Sequence, residues 1–225
     1  SIALDSSNNV QISYFGNGDL KYATNASGTW VTTTVEDDGW RSTGYPSSIA
    51  VDSSGNAHIS YSGGSNDGYG YTNLKYATNI SGQWVTSIVD NSINVGYRNS
   101  IALDGKGKVH ISYRDDNYNY IKYATNTTGK WVTERVASSP EGMSMVIDNK
   151  GMVHIGYRYT QDQVIKYVTN TSGSWVTTSL GDDGFYSSIA LDNKGDVYIS
   201  YYDYLNNDLK YATNAEEDTD TKAPE

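Results

Sequence analysis

Apolar and polar residues alternate along most of this chain in short runs, broken by Gly, Asn, Asp and Ser. In Val109-His110-Ile111-Ser112-Tyr113, period two puts Val109, Ile111 and Tyr113 on one face of a strand, with His110 and Ser112 on the other. Ser100-Ile101-Ala102-Leu103-Asp104 precedes it, and Ile121-Lys122-Tyr123-Ala124-Thr125 and Trp131-Val132-Thr133 follow. The links between runs are turn formers, such as Asp52-Ser53-Ser54-Gly55 and Asn126-Thr127-Thr128-Gly129. The pattern therefore predicts units of four short strands, A to D, joined by tight turns.

The unit recurs. Ser1-Ile2-Ala3-Leu4-Asp5 returns at Ser48, Ser100, Ser144 and Ser188, each time followed by a V-H-I-S-Y-like run and then by an L-K-Y-A-T-N-like run. A period near 44 residues is that of a solenoid, propeller or array. One four-stranded sheet cannot bury both faces alone, whereas five set radially can. The expected fold is all-β: a five-bladed β-propeller of four-stranded antiparallel blades, at about 1–47, 48–99, 100–143, 144–187 and 188–214. Small residues at one repeated position (Ser13, Ser60, Ser112, Gly156 and Ser200) suit close packing of blade on blade. The alternative, an open β-solenoid, fits poorly with four distinct strands per unit. The Trp-bearing strand D occurs only four times, at Trp30, Trp84, Trp131 and Trp175, each expected to be at least half-buried between blades. The fifth blade lacks its own, and residues 215–225 read as an acidic tail or linker.

The S-I-A-L-D-x-x-G-x-x-H-I-S-Y / L-K-Y-A-T-N / W-V-T pattern resembles repeats of large bacterial and archaeal surface and secreted proteins, and through them the sialidase-like propeller repeat families. The resemblance covers residues 1–214 and implies a propeller in an extracellular setting. It does not extend to the Asp-box, which has one residue between Asp and Gly and a Trp after them; here two residues intervene and no Trp follows.

The chain has 225 residues and no cysteine, so it carries neither a disulfide framework nor a thiolate metal site. Its net charge of −10 argues against nucleic acid and anionic membranes as partners. No apolar run is long enough to span a bilayer. The chain shows no signal peptide and opens inside a repeat, which reads as a mature or trimmed product of extracellular or cell-surface location.

Propeller connectivity sends A–B and C–D turns to one rim, and B–C and D–A loops to the other. The first set barely varies between copies and reads as scaffold. The second varies and is rich in acids and aromatics, and loops on a rigid scaffold carry function. Candidate ligand-binding residues there are Trp40, Arg41, Tyr45, Tyr69, Tyr71, Tyr97, Arg98, Tyr118, Tyr120, Tyr159, Tyr186 and Tyr204, with Phe185 beside them. Four arginines follow an aromatic residue: Arg41, Arg98, Arg114 and Arg158. Flat rings beside carboxylates and amides suit neutral sugars, and the same residues suit a protein interface. They also simply make soluble loops.

His58, His110 and His154 occupy one repeated position, replaced by Gln11 and Tyr198 in the other copies, which argues for scaffold rather than metal. Lys21, Lys75, Lys122, Lys166 and Lys210 read as scaffold paired to nearby carboxylates, and Asp5, Asp52, Asp104, Asp148 and Asp192 as bonding their own turns. No cofactor is expected. The Asp-Asp-Gly and Arg-Asp-Asp-Asn loops have oxygens suited to Ca2+, but match neither an EF-hand nor a nonapeptide repeat. Asn25, Asn79, Asn126 and Asn170 head N-x-S/T triplets and are candidate glycosylation sites.

No asymmetric pair of carboxylates stands out, so the expected function is non-catalytic: an extracellular module that binds glycan or protein through the variable rim. A structural subunit of a surface layer, sheath or filament is the alternative, with self-association through the open edge of blade five. A glycosidase or lyase is a third.

Overall fold

The computed structural model describes residues 1–37, 44–64, 72–138, 140–181 and 184–215. Among these, nineteen strands form five antiparallel sheets in chain order, with no helix. Sheet 1 contains β1 (Ile2–Leu4), β2 (Val10–Gly16), β3 (Asp19–Thr24) and β4 (Val31–Glu36). Sheet 2 contains β5 (Ser47–Val51), β6 (Ala57–Gly64), β7 (Thr72–Thr78) and β8 (Val85–Asp90). Sheet 3 contains β9 (Val95–Leu103), β10 (Val109–Asp115), β11 (Tyr120–Thr125) and β12 (Val132–Ser138). Sheet 4 contains β13 (Pro140–Ile147), β14 (Val153–Tyr159), β15 (Val164–Thr169) and β16 (Val176–Gly181). Sheet 5 has three strands among the described residues, β17 (Gly184–Leu191), β18 (Val197–Asp203) and β19 (Asp208–Thr213), and no Trp-bearing strand.

Each sheet is a meander, because its links are too short for any other path. The five turn aspartates act as expected: Asp52 Oδ1, for example, accepts the backbone N–H of Ser54 at 2.9 Å and of Asn56 at 2.8 Å. The C–D turn places glycine at positive φ (Gly28 at 84°), where a side chain would be strained. Its asparagine closes back on strand B: Asn79 Oδ1 accepts the Ala57 N–H at 2.8 Å, and Asn214, which lacks the sequon, makes the same bond to Val197 at 2.7 Å.

The first strands of consecutive sheets lie side by side, β1 by β5, β5 by β9, β9 by β13 and β13 by β17. Between neighbouring sheets lies one apolar cluster, so the core is four slabs rather than one ball. Each slab repeats one recipe. Leu20 and Tyr22 of sheet 1 pack on Ile49, Ile59 and Tyr61 of sheet 2; Leu74 and Tyr76 of sheet 2 pack on Ile101, Ile111 and Tyr113 of sheet 3. The strand-C tyrosine meets the next sheet's tryptophan edge-on: Tyr22 with Trp84 at 5.0 Å, Tyr76 with Trp131 at 5.3 Å and Tyr123 with Trp175 at 5.5 Å between centroids. At the small-residue position the approach is tight, and a Cβ on Gly156 would lie 3.3 Å from Ile199.

Two expectations are corrected. The ring does not close: Ile2 and Leu4 on sheet 1 and Leu209 and Tyr211 on sheet 5 are exposed, so the first and last sheets do not cover each other. Trp30 is 58% exposed for the same reason, since no strand-C tyrosine precedes it, whereas the other three strand-D tryptophans are mostly buried. The strands also reach further into the variable rim than the pattern implies. Phe15, Gly16 and Asp19 are paired, leaving an Asn17-Gly18 turn with both φ positive. β9, β13 and β17 begin ahead of the repeated serine, across a bulge whose αL residue is Arg98, Gly142 or Tyr186.

Candidate functional site

The repeated polar residues belong to the scaffold. Tyr76 and Tyr123 hydroxyls meet His58 and His110 Nδ1 at 2.6 and 2.5 Å, and Tyr167 meets His154 at 2.6 Å. The other ring nitrogen faces the turn aspartate, at 3.5 Å for Asp52 and Asp148 and 3.7 Å for Asp104. Burial pushes all three histidines below their usual pKa, against the opposing pull of those aspartates. Burial also raises Tyr123 to about 12, so its hydroxyl stays a donor. In the first copy Gln11 takes the histidine's place, accepting the Tyr22 hydroxyl at 2.9 Å.

The repeated lysines are occupied too. Lys75 reaches Glu36 at 3.1 Å and Lys122 reaches Asp90, in both cases the last residue of the preceding sheet's outer strand. Tyr61 and Tyr113 donate to the same carboxylates at 2.9 and 2.6 Å. Burial alone would raise Asp90, but the bonds from Lys122, Tyr113 and Ser92 outweigh it and hold the carboxyl at about 2. Lys21 pairs with Asp19, Lys210 pairs with Asp203, and Lys166 sits over the Tyr159 ring at 3.4 Å.

On the variable rim the predicted residues separate into groups. Trp40, Arg41, Tyr69 and Tyr71 lie outside the described residues. Tyr45 is exposed beside Phe15. Tyr118 and Tyr120 flank Arg135, whose guanidinium lies 5.4 and 4.4 Å from their rings. Tyr97 is exposed on β9.

Arg98, Tyr186 and Tyr204 come together with four residues outside the candidate set, Glu141, Gly142, Arg158 and Phe185, across sheets 3, 4 and 5. Arg98, Glu141, Gly142, Arg158, Phe185 and Tyr186 line a cleft of about 110 Å³. Glu141 is its hub: Arg158 Nη1 donates to Oε2 at 2.6 Å, and Arg98 Nη2 lies 3.8 Å from Oε1. The buried Arg158 guanidinium lies 3.9 Å from the Phe185 ring centroid, and the Tyr204 ring meets Phe185 edge-on at 5.7 Å between centroids. Tyr186 projects outward at 82% exposure.

The backbone here marks the site. Arg98 and Tyr186 sit at φ 50° and 55°, in the left-handed region, at the bulge position where sheet 4 has Gly142. A non-glycine residue there costs about 1–2 kcal/mol. Sheet 4 has glycine at the same bulge, so the fold itself does not require a side chain at either position.

A second, larger cleft of about 490 Å³ opens between sheets 1 and 2, lined by Glu36, Gly64, Asn73, Lys75, Thr86, Ser87, Ile88 and Asn91. Its lining mixes polar and apolar surface, and no sequence signal beyond the repeated lysine pointed to it.

No family model matches the sequence, and no curated protein matches it. Solved structures do. A protein of unknown function from Dyadobacter fermentans superposes with TM-score 0.65 at 12% identity, over 89% of this chain and 73% of that one. A Hadza microbial sialidase gives 0.62 at 11%, over 94% and 55%. An endo-arabinase from Bacteroides thetaiotaomicron gives 0.57 at 13%, over 96% and 93%. The chain thus spans little more than half the length of the sialidase it matches. At such identities the likeness is one of fold alone, an all-β, propeller-like arrangement of antiparallel sheets.

Proposed function

We propose that the chain is a non-catalytic, extracellular or cell-surface binding module, a five-bladed propeller arc that holds a glycan at the Arg98–Glu141–Arg158–Tyr186 cleft. The observation that carries this reading is the pair of strained bulge residues, Arg98 and Tyr186, which converge with Glu141 and Arg158 where glycine would serve the fold better. The Tyr186 ring offers a flat face for sugar C–H groups; the two guanidiniums and one carboxylate offer donors and an acceptor for hydroxyls. The non-catalytic part rests on the repeat: the turn aspartates recur in every copy and bond their own turns, and no asymmetric pair of carboxylates stands out in the sequence. In a host that N-glycosylates, Asn25, Asn79, Asn126 and Asn170 would carry glycans on the opposite rim, clear of the cleft.

The test is a glycan array probed with wild type, Arg98→Gly and Tyr186→Gly. Wild type should retain a defined set of glycans, and both variants should lose it with melting temperatures unchanged or higher. A wild type that retains no glycan, or variants that retain the same set, would remove this reading.

A further inference from the structure

The two end faces of the array are unlike any other surface of the molecule. Inside the chain one interface occurs four times. Its trailing half is the strand-C Leu/Ile and Tyr of one sheet. Its leading half is the strand-A and strand-B Ile, Val and Tyr of the next, joined in the first three by the Trp that precedes strand D. One hydrogen bond recurs across it, from the backbone N–H of the strand-A residue to the preceding sheet's serine Oγ: Ile49 to Ser1 at 3.4 Å, Ile101 to Ser48 at 3.3 Å, Met145 to Ser100 at 3.2 Å and Ile189 to Ser144 at 3.5 Å.

Sheet 5 exposes a trailing half that no other described residue covers. Leu209 is 81% and Tyr211 69% exposed, whereas Leu20, Leu74, Ile121 and Ile165 at the Leu209 position are fully buried. Sheet 1 exposes a leading half. Ile2 is 65% exposed, whereas Ile49, Ile101, Met145 and Ile189 at the same position are buried. Leu4 and Trp30 are exposed beside it. The two halves are therefore complementary in the sense of the internal interfaces: strand positions, apolar residue types and hydrogen-bonding serine match all four, and the Tyr–Trp pair matches the first three.

We propose that these faces are a docking pair, and that sheet 5 of one molecule seats on sheet 1 of a second copy of this chain in the geometry of the internal interfaces. Tyr211 then meets Trp30 of the second copy edge-on, Leu209 enters the space beside its Ile12 and Tyr14, and Ser188 Oγ receives its Ile2 N–H. The contact is heterologous, so each copy added leaves one face of each kind open, and the product is a larger ring or a growing array. The docking faces lie between sheets rather than on the variable rim, so this proposal stands or falls independently of the ligand cleft.

The experiment uses two variants of the full chain. One carries Ile2→Lys with Leu4→Lys and blocks the leading face; the other carries Leu209→Lys with Tyr211→Lys and blocks the trailing face. All four positions are solvent-exposed, so both variants should fold with wild-type circular dichroism and melting temperature. Light scattering should show the wild-type mass rising above 24.7 kDa with concentration, and each variant alone staying at that mass. An equal mixture should double the mass and stop there, because each variant retains the face the other lacks. A wild type that stays at one chain's mass at every concentration, association that survives both sets of lysines, or a mixture that remains monomeric would each overturn the proposal.

Discussion

Leu74 and Leu209 hold the same place in the repeat, yet the first is fully buried between sheets 2 and 3 and the second lies open on sheet 5. Ile101 and Ile2 differ in the same way at the other end. Local sequence is nearly identical in each pair, so the difference comes wholly from whether a neighbouring sheet is present. Stability in such an array is the sum of units and of the interfaces between them. The middle sheets gain two interfaces each and the end sheets one.

The largest effect should come from breaking an interior slab. Leu74→Ala should destabilise the chain by about 3–5 kcal/mol, the usual range for a fully buried leucine that leaves a cavity. Leu209→Ala should change the stability of the isolated chain by less than about 0.5 kcal/mol. Urea melts of the two variants measure both; equal losses would mean that sheet 5 is covered in solution.

The cross-sheet lysines give a smaller contrast. Lys122→Met leaves the buried Asp90 without its cation and should cost about 3 kcal/mol. Lys21→Met removes a pair confined to one hairpin of sheet 1, Lys21 with Asp19, and should cost less than about 1 kcal/mol. A double-mutant cycle with Asp90→Asn checks that the larger loss belongs to the pair: with Asp90 neutralised, Lys122→Met should cost much less.

The repeat made most of this fold readable in the sequence. Period-two runs placed the strands, Asp-x-x-Gly and Asn-x-x-Gly placed the turns, and the lost Trp marked the last sheet as the one without its own Trp-bearing strand. The open ring was not readable, because Ile2 and Leu209 look like core residues to any local rule; only a neighbour's presence decides their burial. The cleft was half readable. Arg98, Tyr186 and Tyr204 were legible as aromatics and arginines in variable loops. Glu141 was missed because it lies in the part of β13 ahead of the repeated serine, in Pro140-Glu141-Gly142, and its only signal is an acid between a proline and a glycine where other copies have Tyr97-Arg98 or Phe185-Tyr186. Tyr118, Tyr120 and Tyr159 have the same composition as the cleft residues but other partners, and composition alone cannot choose among rim positions.

The gentlest contrast between middle and ends is set by pH. Sheets 2, 3 and 4 carry His58, His110 and His154 at one position, whereas sheets 1 and 5 carry Gln11 and Tyr198. Burial holds the folded histidines below their ordinary value near 6.5, so between that value and the folded one the unfolded chain binds more protons. Stability should therefore be flat above about pH 7 and decline as pH falls through 6.5, by at most about 1.4 kcal/mol per pH unit for each histidine. The turn aspartates add their own loss only at lower pH, because their depressed values make their stabilisation fail below about 4. Glutamine is the conservative replacement already present in sheet 1, where Gln11 accepts from Tyr22 and donates to the Gly55 carbonyl at 3.1 Å. The triple variant His58→Gln, His110→Gln, His154→Gln should keep an even melting temperature from pH 7.5 to 5, while wild type falls across the same range. Parallel curves for the two proteins would show that the three histidines do not set the acid limit of the middle sheets.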